Sequence, residues 1–327
     1  MLVAKSCEVI NKINKSRSRR NKWLKLLIKI AVTLGFSLWI IFSTNWKDVW
    51  FYLSEIKIHY LIFYVAILFL GFFISSKKWS VLARFKKIHL PQIEFFKLYF
   101  IATFINNFMP SFIAGDAYKT YQLGKKGEKY PEAASTVLMD RITGLVAATI
   151  LALIFLFFNF NQLVEHRILL IAAIILLISL GFDVMMPQIR KINFLKNFVY
   201  RIAPEKVINF LKDLASYSHN HQVLGKSLFY SFIFSVVGVG ILNYILFLAL
   251  GIQIGILNYL SVIFLISIIS ALPISINNIG LKEWAYVTFF GLFSVDPAAA
   301  ITIAIISRTI QMVVSFFALP IYLEKRK

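Results

Sequence analysis

The chain has 327 residues, of which 59% are hydrophobic and 16% aromatic, and its mean hydropathy is +0.75. These values exclude a soluble globular protein and indicate an integral membrane protein. The formal net charge of +20 does not indicate nucleic-acid binding, because the basic residues stand in short blocks between apolar runs, as in loops that face an anionic cytoplasmic leaflet. The sequence has one cysteine, Cys7, so an intramolecular disulfide and a thiol-based metal or redox centre are excluded.

The first 24 residues are polar and basic, and we expect residues 1–24 to form a cytoplasmic tail. The apolar segment 25–43 is too long for the core of a signal peptide and no small-residue cleavage site follows it, so we expect a first span that begins inside. Residues 46–57 mix aromatic and charged residues, which predicts an amphipathic helix along the outer interface or, alternatively, a loop. Further segments of spanning length lie at 60–76, 133–159, 167–186, 227–250 and 297–322, and a short cytoplasmic tail follows at 323–327.

Two other apolar segments, 95–114 and 257–279, are interrupted by proline, glycine and polar residues. If both cross the membrane fully, there are eight spans and the basic loops 115–132 and 187–226 lie outside. If both are re-entrant, these loops, the basic loop 77–97 and both termini are cytoplasmic, which agrees with the excess of Lys and Arg on the inner side of membranes. We therefore expect an all-helical bundle in the cell membrane with six full spans and two re-entrant or broken segments, and eight spans is the alternative.

The two interrupted segments carry the same signals in the same order. The first segment and the span after it contain "MPSFIAGDAYK" and "PEAASTVLMDRITG", and the second pair contains "LPISINNIGLKEW" and "DPAAAITIAIISRTIQ". This order predicts that residues 25–322 form one domain of two inverted repeats, about 25–159 and 167–322. Paired broken segments in inverted repeats are typical of transporters, whose substrate site forms where the two breaks meet near the membrane midplane.

Two arginines, Arg141 and Arg308, lie within spans. Each costs about 2.5–3.5 kcal/mol at a helix centre on insertion scales, so both are expected to face the protein interior. Under the predicted repeat they approach one cavity from opposite sides, and two guanidinium groups favour an anion that carries phosphate. The half-helices that restart after the breaks, with Asp116 and Asn278 as expected caps, also favour anions.

The same arginines have an alternative role, which is to pair with nearby carboxylates and lock helices together. Both roles are compatible if the carboxylates act as counter-ions for the arginines. A local Asp116–Lys119 ion pair and capping of a helix by Glu283 are the corresponding structural interpretations of the residues around the breaks. The candidate substrate-binding residues are Pro110, Gly115, Asp116, Lys119, Asp140, Arg141, Gly280, Lys282, Glu283 and Arg308.

Catalytic and cofactor motifs do not accompany these residues. The histidines are dispersed and no cluster of Cys or carboxylate residues has the spacing of metal ligands, so no metal site is expected. The sequence contains no Walker-type loop, no nucleophile elbow and no H-E-x-x-H motif, so we expect no cofactor and no ATP-driven transport by this chain alone.

The succession "MPSFIAGDAYKTYQL", "AASTVLMDRITGL", "NNIGLKEWAYVTFF" and "SRTIQMV" resembles the flippase-like transmembrane superfamily that includes the membrane region of lysylphosphatidylglycerol synthases. It is also similar to the membrane portions of archaeal dolichol-phosphate glycosyltransferases and of hopanoid-associated membrane proteins. The resemblance covers about 25–322. Lys119 and Lys282 stand where the family pattern usually has arginine, and Asp140 stands where it has glutamate, whereas Arg141 and Arg308 are retained.

The resemblance implies a flippase or scramblase that moves a lipid with an anionic or phosphate-bearing headgroup between leaflets, so membrane lipids are the expected partners. Aminoacyl transfer is not implied, because no soluble synthase domain follows "YLEKRK". Two other classes are a membrane-embedded transferase with Asp116, Asp140 or Glu283 as general base, and a non-catalytic partner that docks a soluble lipid- or glycan-modifying enzyme through 187–226. The sequence leaves open the lipid, the direction, the energy source and the oligomeric state.

Overall fold

The computed structural model describes residues 27–109, 113–125, 129–189, 210, 213–217, 220–272 and 274–324. Throughout these ranges the regular secondary structure is helical, as the sequence predicts. The expected N-terminal tail, residues 325–327, Pro110 and most of the 187–226 loop lie outside the described residues.

Thirteen helices of the described part of the chain are numbered in chain order, and the helical residues 213–217 and the short 3-10 helix Ile276–Asn278 are left unnumbered. The first eight are α1 (Leu27–Ser43), α2 (Trp46–Ser54), α3 (Ile58–Phe85), α4 (Gln92–Phe108), α5 (Ala114–Lys125), α6 (Tyr130–Phe158), α7 (Phe160–Glu165) and α8 (Arg167–Ile189). The others are α9 (His221–Ala249), α10 (Ile256–Ala271), α11 (Leu281–Gly291), α12 (Pro297–Phe316) and α13 (Ala318–Glu324).

Four helical segments in the described part of the chain are long and apolar enough to cross a membrane, namely α3, α6, α9 and α12 together with α13. The α1–α2 pair would be a fifth if it is counted as one bent span. Its two helices meet at an angle of 82°, so α2 does not continue the direction of α1. The amphipathic helix predicted at 46–57 is therefore present but ends at Ser54, and the alternative of a loop is wrong.

The loop expected at 77–97 begins later than predicted, because α3 continues through the first part of it. The span predicted at 60–76 continues as helix to Phe85, and Lys78 is only 4% exposed. The sequence predicts a cytoplasmic loop at this lysine, because paired basic residues usually flank a span. Inside the bundle Lys78 has an acidic partner, described below, which allows the helix to continue with the lysine buried.

Contacts between loops define the two ends of the bundle. With 28 residues, α3 is about 42 Å long at about 1.5 Å per residue. Just before α3 begins, the Lys57 N–H donates to Ala249 O at 3.0 Å, which places the end of α9 beside the start of α3. Just after α3 ends, Lys86 Nζ lies 3.0 Å from Asp213 Oδ1. Helices α3 and α9, which pack against each other, are therefore antiparallel.

Other loops join the end marked by Lys57. Asn159, between α6 and α7, donates from Nδ2 to Asn258 Oδ1 at 2.8 Å, at the start of α10. The rings of His166 and Phe293 lie 6.1 Å apart, which brings the α7–α8 and α11–α12 connections together. The α2–α3, α6–α8, α9–α10 and α11–α12 connections thus share one end of the bundle.

Each interrupted segment forms two helices that pack against each other. Helix α4 packs against α5, and α10 packs against α11. A Cβ atom at Gly115 would collide with the carbonyl oxygen of Ala102, so only glycine lets α5 lie this close to α4. The two breaks also touch each other, because Asn277 Nδ2 donates to Asn107 O at 3.0 Å.

Helix α9 contains a seven-residue π-helical segment, Ser235–Ile241. Its wider turn leaves the carbonyl of Gly240 able to accept a hydrogen bond from the Tyr259 hydroxyl at 2.6 Å. One turn later, Asn243 Oδ1 accepts from the Tyr286 hydroxyl at 2.7 Å. Such segments are rare and often occur at functional sites, and this one contributes to the wall of the cavity described next.

Candidate functional site

A cavity of about 490 Å³ lies among α3, α4, α5, α6, α9, α10, α11, α12 and the second break. Its polar wall carries charged side chains from both interrupted segments and from the helices that follow them. The charged lining residues are Lys78, Asp116, Lys119, Asp140, Arg141, Lys282 and Arg308. Uncharged polar side chains, among them Asn106, Asn243 and Gln311, and apolar side chains of α6, α9 and α10 also line the wall.

Lys78, Asp116, Lys119, Asp140 and Arg141 form the first charged cluster. Lys119 Nζ lies 3.2 Å from Asp116 Oδ1 and 3.5 Å from Asp140 Oδ2, so one lysine bridges two carboxylates. Lys78 Nζ lies 2.9 Å from Asp140 Oδ1 and donates to Asp140 O at 2.8 Å. Arg141 Nε donates to Asp116 Oδ2. Each cation of this cluster therefore has a carboxylate partner.

Local sequence explains how two lysines are buried in the first cluster. The Lys119 ammonium lies 4.7 Å from the ring centroid of Tyr99 and 5.2 Å from that of Trp79, and aromatic faces attract cations. Gly144 makes room for Lys78, because a Cβ there would lie 3.3 Å from its Nζ. Asp116 lies in the first turn of α5, where the helix dipole favours a carboxylate.

Lys282, Glu283 and Arg308 form the second charged cluster. Glu283 Oε1 lies 2.9 Å from Arg308 Nη2, and Glu283 Oε2 accepts from the Gly280 N–H at 2.7 Å. Lys282 Nζ donates to Ser307 Oγ at 2.5 Å. Glu283 thus caps α11, as the sequence predicts, and also pairs with an arginine of the next helix.

The Arg308 side chain holds the second break in place by hydrogen bonds to the backbone of the break. Its Nη1 donates to Asn277 O at 2.8 Å and its Nη2 donates to Asn278 O at 3.0 Å. Both asparagines have positive φ, 50° and 55°, which asparagine tolerates better than most residues. Gly280 has φ +81°, and a Cβ there would collide with Phe36 of α1. The break is therefore fixed from one side by Arg308 and from the other by α1.

The structure brings most of the predicted site residues together. Asp116, Lys119, Asp140, Arg141, Lys282 and Arg308 line the cavity, whereas Gly115, Gly280 and Glu283 support the two breaks. Pro110 lies outside the described residues. The ion pairs predicted as the alternative role of the arginines are present, Arg141 with Asp116 and Arg308 with Glu283.

Two predictions about helix caps need correction. Asn278 does not cap α11, because Gly280 occupies the N-cap position and the Asn278 side chain donates to Ser270 O. Asp116 is the third residue of α5 and not its cap. Helix α11 starts after the positive φ of Gly280, a feature of the backbone that side-chain type alone did not indicate.

Sequence reasoning missed Lys78 and the asparagine pairs at the breaks. Lys78 continues the buried helical face of Gly71 and Ser75, a periodicity that could have identified it. Asn106 Oδ1 accepts from the Gly115 N–H at 2.8 Å, and Asn277 bonds to Asn107 across the two breaks. An Asn-Asn pair inside each apolar segment was the available signal.

The two clusters repeat one spacing along the chain. Arg141 pairs with the carboxylate 25 residues before it, and 25 residues also separate Glu283 from Arg308. In each cluster the residue just before the arginine, Asp140 or Ser307, accepts from a lysine. Among the described residues no group of three or more His, Cys, Asp or Glu side chains could hold a metal ion. The arrangement places five cations and three carboxylates around one cavity, a chemistry suited to an anion.

Comparison with known proteins agrees with the resemblance noted in the sequence. Residues 26–318 match the family model described as the lysylphosphatidylglycerol synthase TM region. A UPF0104 membrane protein of Methanocaldococcus jannaschii is 28% identical over 231 residues, which is 68% of this chain and 95% of that protein. No solved structure matches the chain. Since the family model spans nearly the whole sequence, the protein belongs to the family of the lysylphosphatidylglycerol synthase transmembrane region.

Proposed function

We propose that the protein moves lipids with an anionic, phosphate-bearing headgroup between the leaflets of the cell membrane, as a flippase or scramblase. The observation that carries this proposal is that one cavity of about 490 Å³ receives charged side chains from both interrupted segments. Asp116 and Lys119 come from the first segment, and Lys282 comes from the second. Substrate sites of many transporters form where two such broken segments meet.

The charge balance of the cavity favours an anion. The first cluster has three cations against two carboxylates, and the second has two cations against one carboxylate. Each cluster therefore has one net positive charge in a region of low dielectric constant, where uncompensated charge is costly. A bound phosphate would supply the missing negative charge, and the planar guanidinium groups suit its oxygens.

Apolar walls beside the charges favour an amphiphile over a small hydrophilic anion. Leu145 and Ala148 of α6, Val239 of α9, and Ile263 and Ile266 of α10 line the same cavity. These side chains can contact the acyl or prenyl part of a lipid while the cations bind its headgroup.

Contacts between loops support six full spans with two re-entrant segments over eight spans. Lys57 bonds to Ala249, and Asn159 bonds to Asn258, so these loops lie at one end of the bundle. With α4–α5 crossing fully, the loops after α6 and after α9 would lie on the opposite side of the membrane from Lys57. With α4–α5 and α10–α11 re-entrant, all of them lie outside and both termini lie in the cytoplasm, as the positive-inside rule favours.

The inverted repeat is part of the same proposal. The Asp116–Arg141 and Glu283–Arg308 pairs have equal spacing and join the restarting helix of each interrupted segment to the long helix that follows. In the six-span topology α4–α5 enters from the inside and α10–α11 from the outside. Two halves of opposite orientation give alternating access to a shared site through the movement of one half against the other.

Reconstitution in liposomes with head-labelled lipids tests the function. Movement of label between leaflets without covalent change supports translocation, and we expect R141Q and R308Q to abolish it at equal protein incorporation. A new lipid product would instead support the membrane-embedded transferase. Neither movement nor product would leave the role of a non-catalytic partner of a soluble enzyme and would contradict translocation.

A further inference from the structure

The two charged clusters differ at one position, the residue that precedes each arginine. In the first cluster this residue is Asp140, whose carboxylate pairs with Lys78 and Lys119. In the second cluster it is Ser307, which is fully buried and offers only a hydroxyl to Lys282. The second cluster therefore lacks the carboxylate that completes the first.

Lys282 has no carboxylate oxygen within ion-pairing distance in the described part of the chain. The nearby Glu283 does not serve it, because one Glu283 oxygen pairs with Arg308 and the other accepts from the Gly280 N–H. The Lys282 ammonium also lies 5.5 Å from the Tyr286 ring centroid, which offers partial compensation for a buried cation. A full negative charge beside Lys282 is missing.

Two further polar atoms, in residues that line the same cavity, lack partners in the described part of the chain. Arg308 Nε is buried and has no hydrogen-bond partner among the described residues, and the same holds for Asn278 Oδ1. Both residues line the cavity, and Asn278 is 6% exposed. Buried polar atoms normally have partners, so a donor that suits an anion and an acceptor that suits a hydroxyl remain available at one place.

We propose that Lys282 and Arg308 form the headgroup subsite and bind one lipid phosphodiester, which takes the place that the Asp140 carboxylate occupies in the first cluster. The inference rests on the proposed function and makes its substrate more specific. The second cluster has one net positive charge, which a phosphodiester monoanion neutralises, whereas a phosphomonoester dianion would leave excess negative charge. Asn278 Oδ1 accepts from a hydroxyl of the headgroup. The first cluster, in which each cation already pairs with a carboxylate, adds its net positive charge to the same cavity.

The test is to place an internal carboxylate in the subsite. In S307D the new side chain pairs with Lys282, as Asp140 pairs with Lys119, and competes with the lipid. S307N has the same size without the charge and is the reference for steric effects. We expect S307D to bind lipid roughly tenfold or more weakly than S307N, because a charge-assisted contact is lost. S307D should melt at least as high as S307N, so weak binding would not reflect unfolding. Equal affinity of the two variants would overturn the subsite.

The detergent-solubilised full chain is titrated with three probes. Dihexanoyl phosphatidylglycerol carries a phosphodiester and hydroxyls, dihexanoylglycerol carries no phosphate, and inorganic phosphate carries no lipid. We expect binding of the first probe only. Equal binding of dihexanoylglycerol would overturn the role of the phosphate, and equal binding of inorganic phosphate would overturn recognition of a lipid.

The binding test addresses the subsite and the liposome test addresses translocation, so a negative result in one does not imply a negative result in the other. Binding that S307D abolishes, together with no movement of lipid in liposomes, would keep the subsite and reject translocation. Movement of lipid that S307D and S307N support equally would keep translocation and reject the subsite.

Discussion

Lys78 Nζ lies 2.9 Å from Asp140 Oδ1, and the two side chains are only 5% and 4% exposed. This contact joins the end of α3 to the middle of α6 inside the bundle. Asp140 also pairs with Lys119, so one carboxylate is shared by two buried lysines. Removal of that carboxylate should therefore cost more than removal of either lysine.

The first prediction compares the loss of stability when the Asp140 carboxylate is removed with the loss when the Lys78 ammonium is removed. D140N leaves two buried ammonium groups without their shared partner, and we expect the free energy of unfolding to fall by about 3–5 kcal/mol. K78M should cost less, because Lys119 still neutralises Asp140. The measurement is unfolding in mixed micelles. K97M is the control, since Lys97 lies 3.8 Å from Glu94 and both side chains are partly exposed, and its loss should stay within about 1 kcal/mol. A D140N loss as small as that of K97M would contradict the prediction.

The second prediction concerns Arg308 as the support of the second break. R308K keeps the positive charge, but an ammonium group does not reproduce the fixed geometry that reaches two backbone carbonyls and Glu283. We expect amide hydrogen exchange over 276–280 to become roughly tenfold faster or more, since bonds to a charged group are lost, and lipid movement to decrease. R84K, at an exposed arginine near the end of α3, is the matched control and should change neither. Unchanged exchange in R308K would show that the break does not depend on the guanidinium group.

The third prediction uses two glycines in different surroundings. G280A forces alanine into a backbone with φ +81° and against Phe36, so we expect a loss of about 2 kcal/mol or more in the free energy of unfolding. Gly225 lies within α9, and a Cβ there would meet no neighbouring heavy atom within 4 Å, so G225A should stabilise the helix by about 0.5–1 kcal/mol. Opposite signs for the two variants are the expected result. A G280A variant as stable as the wild type would contradict the positive φ and the close contact with α1 at this position.

The fourth prediction tests the topology. In a C7S background, N161C places a single thiol in an exposed connection after α6, and H89C places one in an exposed connection after α3. A membrane-impermeant maleimide should label N161C in intact cells and H89C only after permeabilisation. Eight full spans would put residue 161 inside, so labelling of N161C only after permeabilisation would reject the six-span topology.

The charged residues of the spans could be predicted from sequence because their burial cost leaves few alternatives. Arg141 and Arg308 each had to find an interior or a partner, and the structure gives each of them both the cavity and a carboxylate. The breaks were also predictable, since proline and glycine in an apolar segment interrupt a helix. The same reasoning identified Asp116, Lys119 and Lys282 as neighbours of the breaks.

The cost of burial alone did not place Lys78 inside the bundle, although its position on the helical face of Gly71 and Ser75 indicated it, because its burial depends on a residue far along the chain. Lys77 and Lys78 resemble the basic flank of a span, and only the distant Asp140 makes a buried lysine at that point acceptable. The cap at Asn278 was wrong for a related reason. The start of α11 depends on the positive φ of Gly280 and on the Glu283 carboxylate, and these are set by the packing of the break against α1 and α12.

The π-helical segment of α9 makes the cavity wall depend on chain length. Its turns are wider than those of an α-helix, so the segment absorbs one extra residue while the helix on either side keeps its orientation. Deletion of one residue within Ser235–Ile241 would therefore restore an α-helix and leave Asn243 facing Tyr286. It would remove the wider turn that lets the Gly240 carbonyl accept from the Tyr259 hydroxyl. Genetic variation at this wall should tolerate changes of side chain, whereas a single-residue deletion should break the Tyr259 contact.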